Sequence, residues 1–417
     1  MRVLLLTTPH TYRAEAFRAA AQKLGIEVVT AIDLPDELSK PHEATLTLDF
    51  RDPDRAVQHI VTYASEHSLA AVLSVDDSAS LIAAQASATL NLPHNSPQAA
   101  EAARDKFVMR TLLKQGGVRV PHFQLFSTAD DLSQVAQHVK YPCVVKPLAL
   151  NGSRGVIRAD NADQFVTAAQ RLGRLLHSID PSFDPKPFLV EDFIPGFEVA
   201  LEGLLNHGEL KVLALFDKPD PLDGPFFEET IYVTPSRLPI DTQDAITRCT
   251  ADSARALGLV EGPVHAELRL NDQGTWLVEM AGRSIGGLCS QTLRFAHSAD
   301  VSLEEIILRQ ALRLEIDALE RESRSGGVMM IPIPGAGLLR GVAGLEEAKA
   351  VIGIEDVQIT AKLNYPLVPL PEGESYLGFI FARGGTPGEV EAALHAAHAR
   401  LRFDVQPIIP LTTINAR

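Results

Sequence analysis

The sequence predicts a multi-lobed chain, α/β at its N-terminus and mixed α+β beyond, and three observations carry that expectation. Strand and helix patterns alternate over residues 1–95. An apolar strand ending in Lys146 runs into a loop of mostly small residues, Asn151-Gly152-Ser153-Arg154-Gly155. Further on, VHAELRLNDQGTWLVEMAGRS reads as a hairpin that sets two glutamates against each other.

A chain of 417 residues has room for two to four domains and a large core. Its 46% hydrophobic and 22% charged residues are ordinary for a soluble protein. A net charge of −15 argues against a nucleic-acid partner, which would need clustered Lys and Arg, but leaves room for an anionic nucleotide in a basic cleft. Cys143, Cys249 and Cys289 are widely spaced and odd in number, so neither a disulfide framework nor a zinc signature is present. The opening apolar run is too short for a signal-peptide core, and no apolar stretch reaches about 18 residues. The expectation is a reduced, cytoplasmic protein with no membrane partner.

In chain order, RVLLLT reads as a buried strand, YRAEAFRAAAQKLG as a helix ending at Gly25, and IEVVTAI as the next strand. The helix PDRAVQHIVTYASEH, the strand AAVLSV and the segment DDSASLIAAQASATL complete an open, mostly parallel sheet over 1–95. Its first strand–helix turn lacks G-x-G-x-x-G, so a dinucleotide site has little support. Asp76 and Asp77 follow a strand's carboxyl end, where such sheets bind ligands; capping a helix is their other reading. Residues 96–117 are expected to form one linking helix closed by Gly116-Gly117. A small lobe is expected over 118–205, including the strands PFLVEDF and FEVALEGLL, then a mixed lobe with the hairpin over 206–310. An α+β appendage is expected over 311–417, with GGVMMIPIP as its first clear strand and the helix TPGEVEAALHAAHARL and a last strand at its end.

The hairpin poses a physical question. With Asp272-Gln273-Gly274 as a three-residue loop, Glu267 falls opposite Glu279. Opposed residues have Cβ atoms roughly 4.5–5.5 Å apart. Two carboxylates at that separation repel by about 3 kcal/mol at an effective dielectric near 20. His265 shares their face, either touching the site or packing as an ordinary histidine; Trp276 is expected on the opposite face, in the core, and Cys289 as a small packed residue.

The loop 151–155 offers backbone N–H groups that could approach phosphate oxygens, or is simply a tight turn; it is not a Walker A loop. In PFLVEDFIPGFEVALEGLL, a strand enters the turn Pro195-Gly196, and Glu198, Ala200 and Glu202 then share one face. Such a segment can offer backbone groups to an adenine edge and a carboxylate such as Glu198 to ribose hydroxyls. Taken singly, Glu191 and Asp192 read as edge-strand charges.

In combination, the lysine before a glycine loop, the E-D-F-I-P-G hinge and the carboxylate hairpin resemble the ATP-grasp superfamily over residues 1–310. The resemblance implies an N-terminal parallel α/β domain, a small ATP-lid lobe and a large metal-site lobe. It implies that Lys106 and Lys146 contact the nucleotide phosphates and that Asn151, Gly152, Ser153, Arg154 and Gly155 form the lid. Glu191 and Phe193 match the adenine hinge, Glu198 the ribose carboxylate, Glu267 and Glu279 the magnesium ligands, and Arg283 the arginine that steadies an acyl-phosphate. Where many members read E-x-N-x-R, this chain has Ala281, which cannot coordinate.

The pattern EMAGRSIGG and the C-terminal appendage are most similar to the L-amino acid ligase group. Glu229 matches a substrate-facing glutamate of that group, while the histidine three residues on is replaced by Tyr232; ordinary strand residues are the other reading. The implied activity is ADP-forming ligation of a small-molecule carboxylate to an amine through an acyl-phosphate, with ATP and Mg2+, or Mn2+ in its place. Homodimerisation is left open. The rival readings are a carboxylase-like enzyme making carboxyphosphate and a non-catalytic ATP-binding subunit.

Overall fold

The computed structural model describes residues 1–9, 11–34, 45–182, 184–296, 300–316 and 319–407. The chain divides into two compact units: residues 1–125, 191–219 and 234–324 form the first, and residues 126–190, 220–233 and 325–417 the second.

The first unit begins with a parallel sheet of order β3-β2-β1-β4, made of β1 (Arg2–Thr7), β2 (Glu27–Asp33), β3 (Thr45–Leu48) and β4 (Ala71–Ser74). Helix α1 (Ala14–Lys23) joins β1 to β2, α2 (Pro53–Glu66) joins β3 to β4, and α3 (Ser80–Thr89) follows β4. The run Val3–Leu6 is fully buried, as a central parallel strand requires. The expected single linking helix is two, α4 (Pro97–Ala102) and α5 (Lys106–Gln115). Asp105 breaks it: its carboxylate accepts from the Phe107 and Val108 amides and starts a new helix whose first residue is Lys106.

An antiparallel sheet of order β13-β12-β9-β10 follows in the same unit, formed by β9 (Phe197–Asn206), β10 (Glu209–Lys218), β12 (Gly262–Asn271) and β13 (Gly274–Ala281). Strand β9, expected in the small lobe, pairs with β12 and β10 instead. One face of this sheet is apolar. Val199, Leu201, Val264, Ala266, Leu268, Leu277 and Met280 pack there with residues of α4, α5 and α8 (Ile240–Leu257). The opposite face carries the charges. Helix α9 (Leu303–Ala311) packs against α1 and β12.

The second unit holds a sheet of order β5-β8-β6-β7, from β5 (Phe123–Ser127), β6 (Cys143–Lys146), β7 (Ile157–Ala159) and β8 (Pro187–Asp192), with the short α6 (Leu132–Val135) and the long α7 (Ala162–Ile179). The outer residues of β5 and β8 run on into the first unit. The α7 stripe Phe165, Ala168, Ala169, Leu172 and Leu175 closes this core. A second core lies among β11 (Ile231–Thr234), β14 (Ser325–Ile331), β16 (Ile354–Ile359) and β18 (Gly378–Gly384), with α10 (Leu345–Lys349) and α11 (Pro387–His398). Strand β15 (Gly337–Ala343) pairs with β17 (Pro366–Leu367) and β19 (Arg402–Gln406). Among the described residues, no helix is long and apolar enough to cross a membrane.

Candidate active site

The charged face of the β13-β12-β9-β10 sheet is a grid set by register. Glu198 pairs with Arg269, Ala200 with Glu267, and Glu202 with His265, while Lys218 on β10 pairs with Glu198. Across β12–β13, Glu267 opposes Glu279, and His265 opposes Ala281. The route to that opposition differs from the expected one. Asn271 pairs with Gly274, so the loop is the two residues Asp272 and Gln273, and a bulge at Val278 shifts the register back by one. Before the bulge, Trp276 pairs with Arg269 and therefore stands on the glutamate face, not in the core. It is half-buried there, with Nε1 donating to Asn271 Oδ1 at 3.1 Å and the Arg119 guanidinium 5.2 Å from its ring centre.

Four acids on this face are held differently. Glu198 is buried, with one oxygen 2.9 Å from Lys218 Nζ and the other 2.7 Å from Arg269 Nε. Glu202 is fully buried; its Oε2 accepts from His265 Nδ1 at 3.2 Å and from the Ile285 amide at 3.0 Å, and burial pushes its pKa up. Glu267 and Glu279 keep side-chain exposures of 20% and 31%, against 8% for Glu198 and 0% for Glu202. They are the two carboxylates a solvated ion can reach.

Cations offset their mutual repulsion. Lys218 Nζ lies 3.3 Å from Glu267, His265 Nε2 lies 3.5 Å from it, and Lys106 Nζ lies 3.1 Å from Glu279 Oε1. Burial would raise the Glu267 pKa, but the Lys218 charge and the His265 hydrogen bond carry it well below the usual range. Burial would likewise lower the pKa of His265, but its bonds to Glu202 and Glu267 push it up to about 9. His265 therefore borders the candidate site, bridging the buried Glu202 and the more open Glu267. Two opposed carboxylates suit a hard divalent cation, and Ala281 adds no donor.

The hinge is held from the same face. Arg110, fully buried, pairs with both oxygens of Glu191 at 2.6 and 3.2 Å and donates to the Val278 carbonyl at the bulge at 2.7 Å. The Glu191 side chain is thereby committed to structure. Arg269 lies 5.1 Å from the Phe193 ring centre and donates to the Ile194 carbonyl at 2.7 Å.

Arg283 follows β13. Its Nε donates to Asp77 Oδ2 at 2.6 Å and its Nη1 to the Ser284 carbonyl at 2.8 Å. Neither Asp76 nor Asp77 caps a helix. Asp76, at the start of the short turn before α3, makes no capping bond; its carboxylate accepts from the Thr8 and Thr11 hydroxyls. Cys289 is a buried residue, as expected of a small packed side chain.

The other expected site residues lie in the second unit. Lys146 ends β6 and is buried. In the loop 151–155, Gly152, Ser153 and Gly155 have φ of 60°, 56° and 74°. Arg154 donates through Nε to the Glu372 carbonyl at 2.9 Å and through Nη1 to Glu374 Oε2 at 3.1 Å, and the Gly155 amide donates to the Pro371 carbonyl at 2.8 Å. Glu229 is half-buried, whereas Tyr232 in β11 is only 2% exposed.

Sequence reasoning did not single out Lys218, Arg269, Arg110 or Arg13. Lys218 and Arg269 carried a signal, since each continues a strand's alternation on the face of Glu198 and Glu267. Arg110 and Arg13 carried none, because their partners are 81 and up to 271 residues distant.

An ATP-grasp domain model matches residues 139–292, an ATP-grasp N-terminal domain model residues 17–94, and an L-amino acid ligase C-terminal domain 2 model residues 329–406. An alanine–anticapsin ligase of Bacillus subtilis is 27% identical over 305 residues, 68% of this chain and 63% of that protein. An uncharacterized protein of Sinorhizobium fredii is 25% identical over 334 residues, 77% of this chain and 65% of its own length. The chain thus spans somewhat under two thirds of these curated relatives. The solved structure of an L-amino acid ligase from Bacillus licheniformis superposes with a TM-score of 0.81 at 26% identity, covering 97% of this chain and 99% of that one. The chain thus carries an ATP-grasp domain preceded by an ATP-grasp N-terminal domain and followed by an L-amino acid ligase C-terminal domain.

Proposed function

We propose that this protein is an ADP-forming ligase that joins the carboxylate of one small molecule, an amino acid, to the amine of another. The observation that carries the reading is the opposition of Glu267 and Glu279, the two partly exposed carboxylates on a face whose other two acids, Glu198 and Glu202, are buried. The names of the similar ligases support the substrate class.

In this reading, Glu267 and Glu279 hold Mg2+, or Mn2+ in its place, and the bound ion supplies charge neutralisation at the ATP phosphates. Lys106, Lys146 and the loop Asn151–Gly155 hold the triphosphate, so that the substrate carboxylate can attack the γ-phosphorus. Adenine meets the backbone of the Glu191–Phe193 hinge. Glu198 meets the ribose while Lys218 and Arg269 fix its orientation. Exclusion of water protects the acyl-phosphate until the amine attacks its carbonyl carbon. Arg283 carries positive charge to the oxygen and phosphate as they separate. Glu229 faces the substrates, while Tyr232, buried in β11, shapes substrate choice in place of the expected histidine.

The test is ADP and phosphate release over a panel of L-amino acids, singly and in pairs. Release that needs two substrates supports ligation. Release that needs bicarbonate would make the protein a carboxylase, and tight ATP binding with no release under any pair would make it a sensor.

A further inference from the structure

The N-terminal α/β domain contributes one charged side chain to Arg283, and its surroundings show how it is aimed. Asp76 is fastened first. Its Oδ2 accepts from the Thr8 amide at 3.4 Å and hydroxyl at 3.1 Å, its Oδ1 from the Thr11 hydroxyl at 3.2 Å, and its carbonyl from the Ser74 hydroxyl. The next residue, Asp77, is left to point at the Arg283 guanidinium, at 2.6 Å.

Arg283 is held from its other side by its own loop. Nη1 donates to the Ser284 carbonyl, and Arg13 Nη2 donates to the Ser284 hydroxyl at 2.6 Å while its Nη1 donates to the Val75 carbonyl at 2.5 Å. The Ile285 amide is tied to Glu202. Of the five N–H donors of a guanidinium, the one on Nε and one of the two on Nη1 are thus directed; among the described residues Nη2 has no hydrogen-bond partner. Asp77, Arg283 and Ser284 border a cavity of about 130 Å³, also lined by Ser80, so the pair faces open space and not only packed core.

We propose that Asp77 is a positioning residue for Arg283. Its carboxylate fixes the plane of the guanidinium so that the remaining donors meet the reacting oxygens. This rests on the role given to Arg283 above. A bulk structural role predicts instead that losing Asp77 changes stability and leaves the arginine's chemistry alone.

Two measurements on the full chain separate these. The first is the side-chain N–H resonance of Arg283 Nε in uniformly 15N-labelled protein without nucleotide, assigned by its loss in Arg283→Lys. It should be visible at neutral pH in the wild type and be shifted or exchanged away in Asp77→Asn. The second is turnover. Asp77→Asn should lower kcat by about 100-fold, the scale of an ångström's misplacement, with KM for ATP held within about twofold. Asp77→Glu, which keeps the charge, should recover part of kcat. Adding Asp77→Asn to Arg283→Lys should cost less than about a further twofold, since both act through one group.

An unchanged Arg283 resonance in Asp77→Asn, or additive losses in the double variant, overturns the proposal. A wild type that releases no ADP with any amino-acid pair, but whose Arg283 resonance responds to Asp77→Asn, overturns the ligase reading and upholds the positioning.

Discussion

Glu267 stands opposite Glu279 because β13 carries one extra residue, Val278, between Leu277 and Glu279. Without that bulge the two-residue turn would set Glu267 against Val278 and put Glu279 on the apolar face, since side chains alternate strictly along a strand. The bulge also frees the Val278 carbonyl for Arg110. One irregularity thus joins the carboxylate pair to the hinge, through Arg110 and Glu191.

Removing the carboxylate pair tests the metal role directly. Mg2+ with ADP should raise the thermal midpoint of the wild type, by the equivalent of about 2.7 kcal/mol at a hundredfold excess over Kd. Glu267→Gln, Glu279→Gln protein should show no Mg2+-dependent shift, and chelation should abolish the wild-type shift. Full turnover in the double variant would sink the site assignment.

Glu191 is predicted to matter for folding through Arg110. Glu191→Ala leaves a buried guanidinium without its carboxylate, a loss of about 3–5 kcal/mol for a buried pair broken on one side. Replacing both partners, Glu191→Leu with Arg110→Met, should recover much of it. Urea unfolding reads both variants, and a loss under about 1 kcal/mol in Glu191→Ala would contradict the geometry.

At Gly155 the backbone has φ +74°, and a Cβ there would come within 2.9 Å of Leu172 Cδ1. Gly155→Val should therefore destabilise the second unit by about 1–3 kcal/mol. It should also raise KM for ATP, because the loop's amides lose their alignment. Wild-type KM in a folded variant would remove this loop from phosphate binding.

The loop's anchor titrates. Glu372 pairs with Arg171 at 2.5 Å, and that hydrogen bond holds its carboxyl below the ordinary value of 4.5. Its contribution to stability is therefore present above about pH 4.5 and is lost as pH falls through the depressed value. The stability gap between wild type and Glu372→Gln should be largest near neutrality and close on acidification. A gap that widens below pH 4.5 would have the wrong sign.

Much of this fold was legible because alternation is a local property. The buried run Val3–Leu6, the α7 stripe and the polar face Glu198-Ala200-Glu202 follow from spacing alone. The opposition of Glu267 and Glu279 was also reached, but through a three-residue loop that the chain does not use. A bulge leaves no mark on the hydrophobic pattern, so Trp276 was placed on the wrong face. The break at Asp105 has a local capping signal, an Asp followed by a new amphipathic run, but the continuous helical pattern on both sides masks it. What no local pattern could supply was the pairing of Arg110 with Glu191 and of Asp77 with Arg283, since these partners meet only through tertiary structure.

The central claim is that ATP activates a carboxylate by phosphorylating it, and isotope transfer reads that step. With the carboxylate substrate labelled with 18O in both oxygens, and its amine partner and Mg-ATP present, the released phosphate should carry one 18O per amide bond formed, by mass spectrometry. Unlabelled phosphate released in step with amide formation would contradict the account.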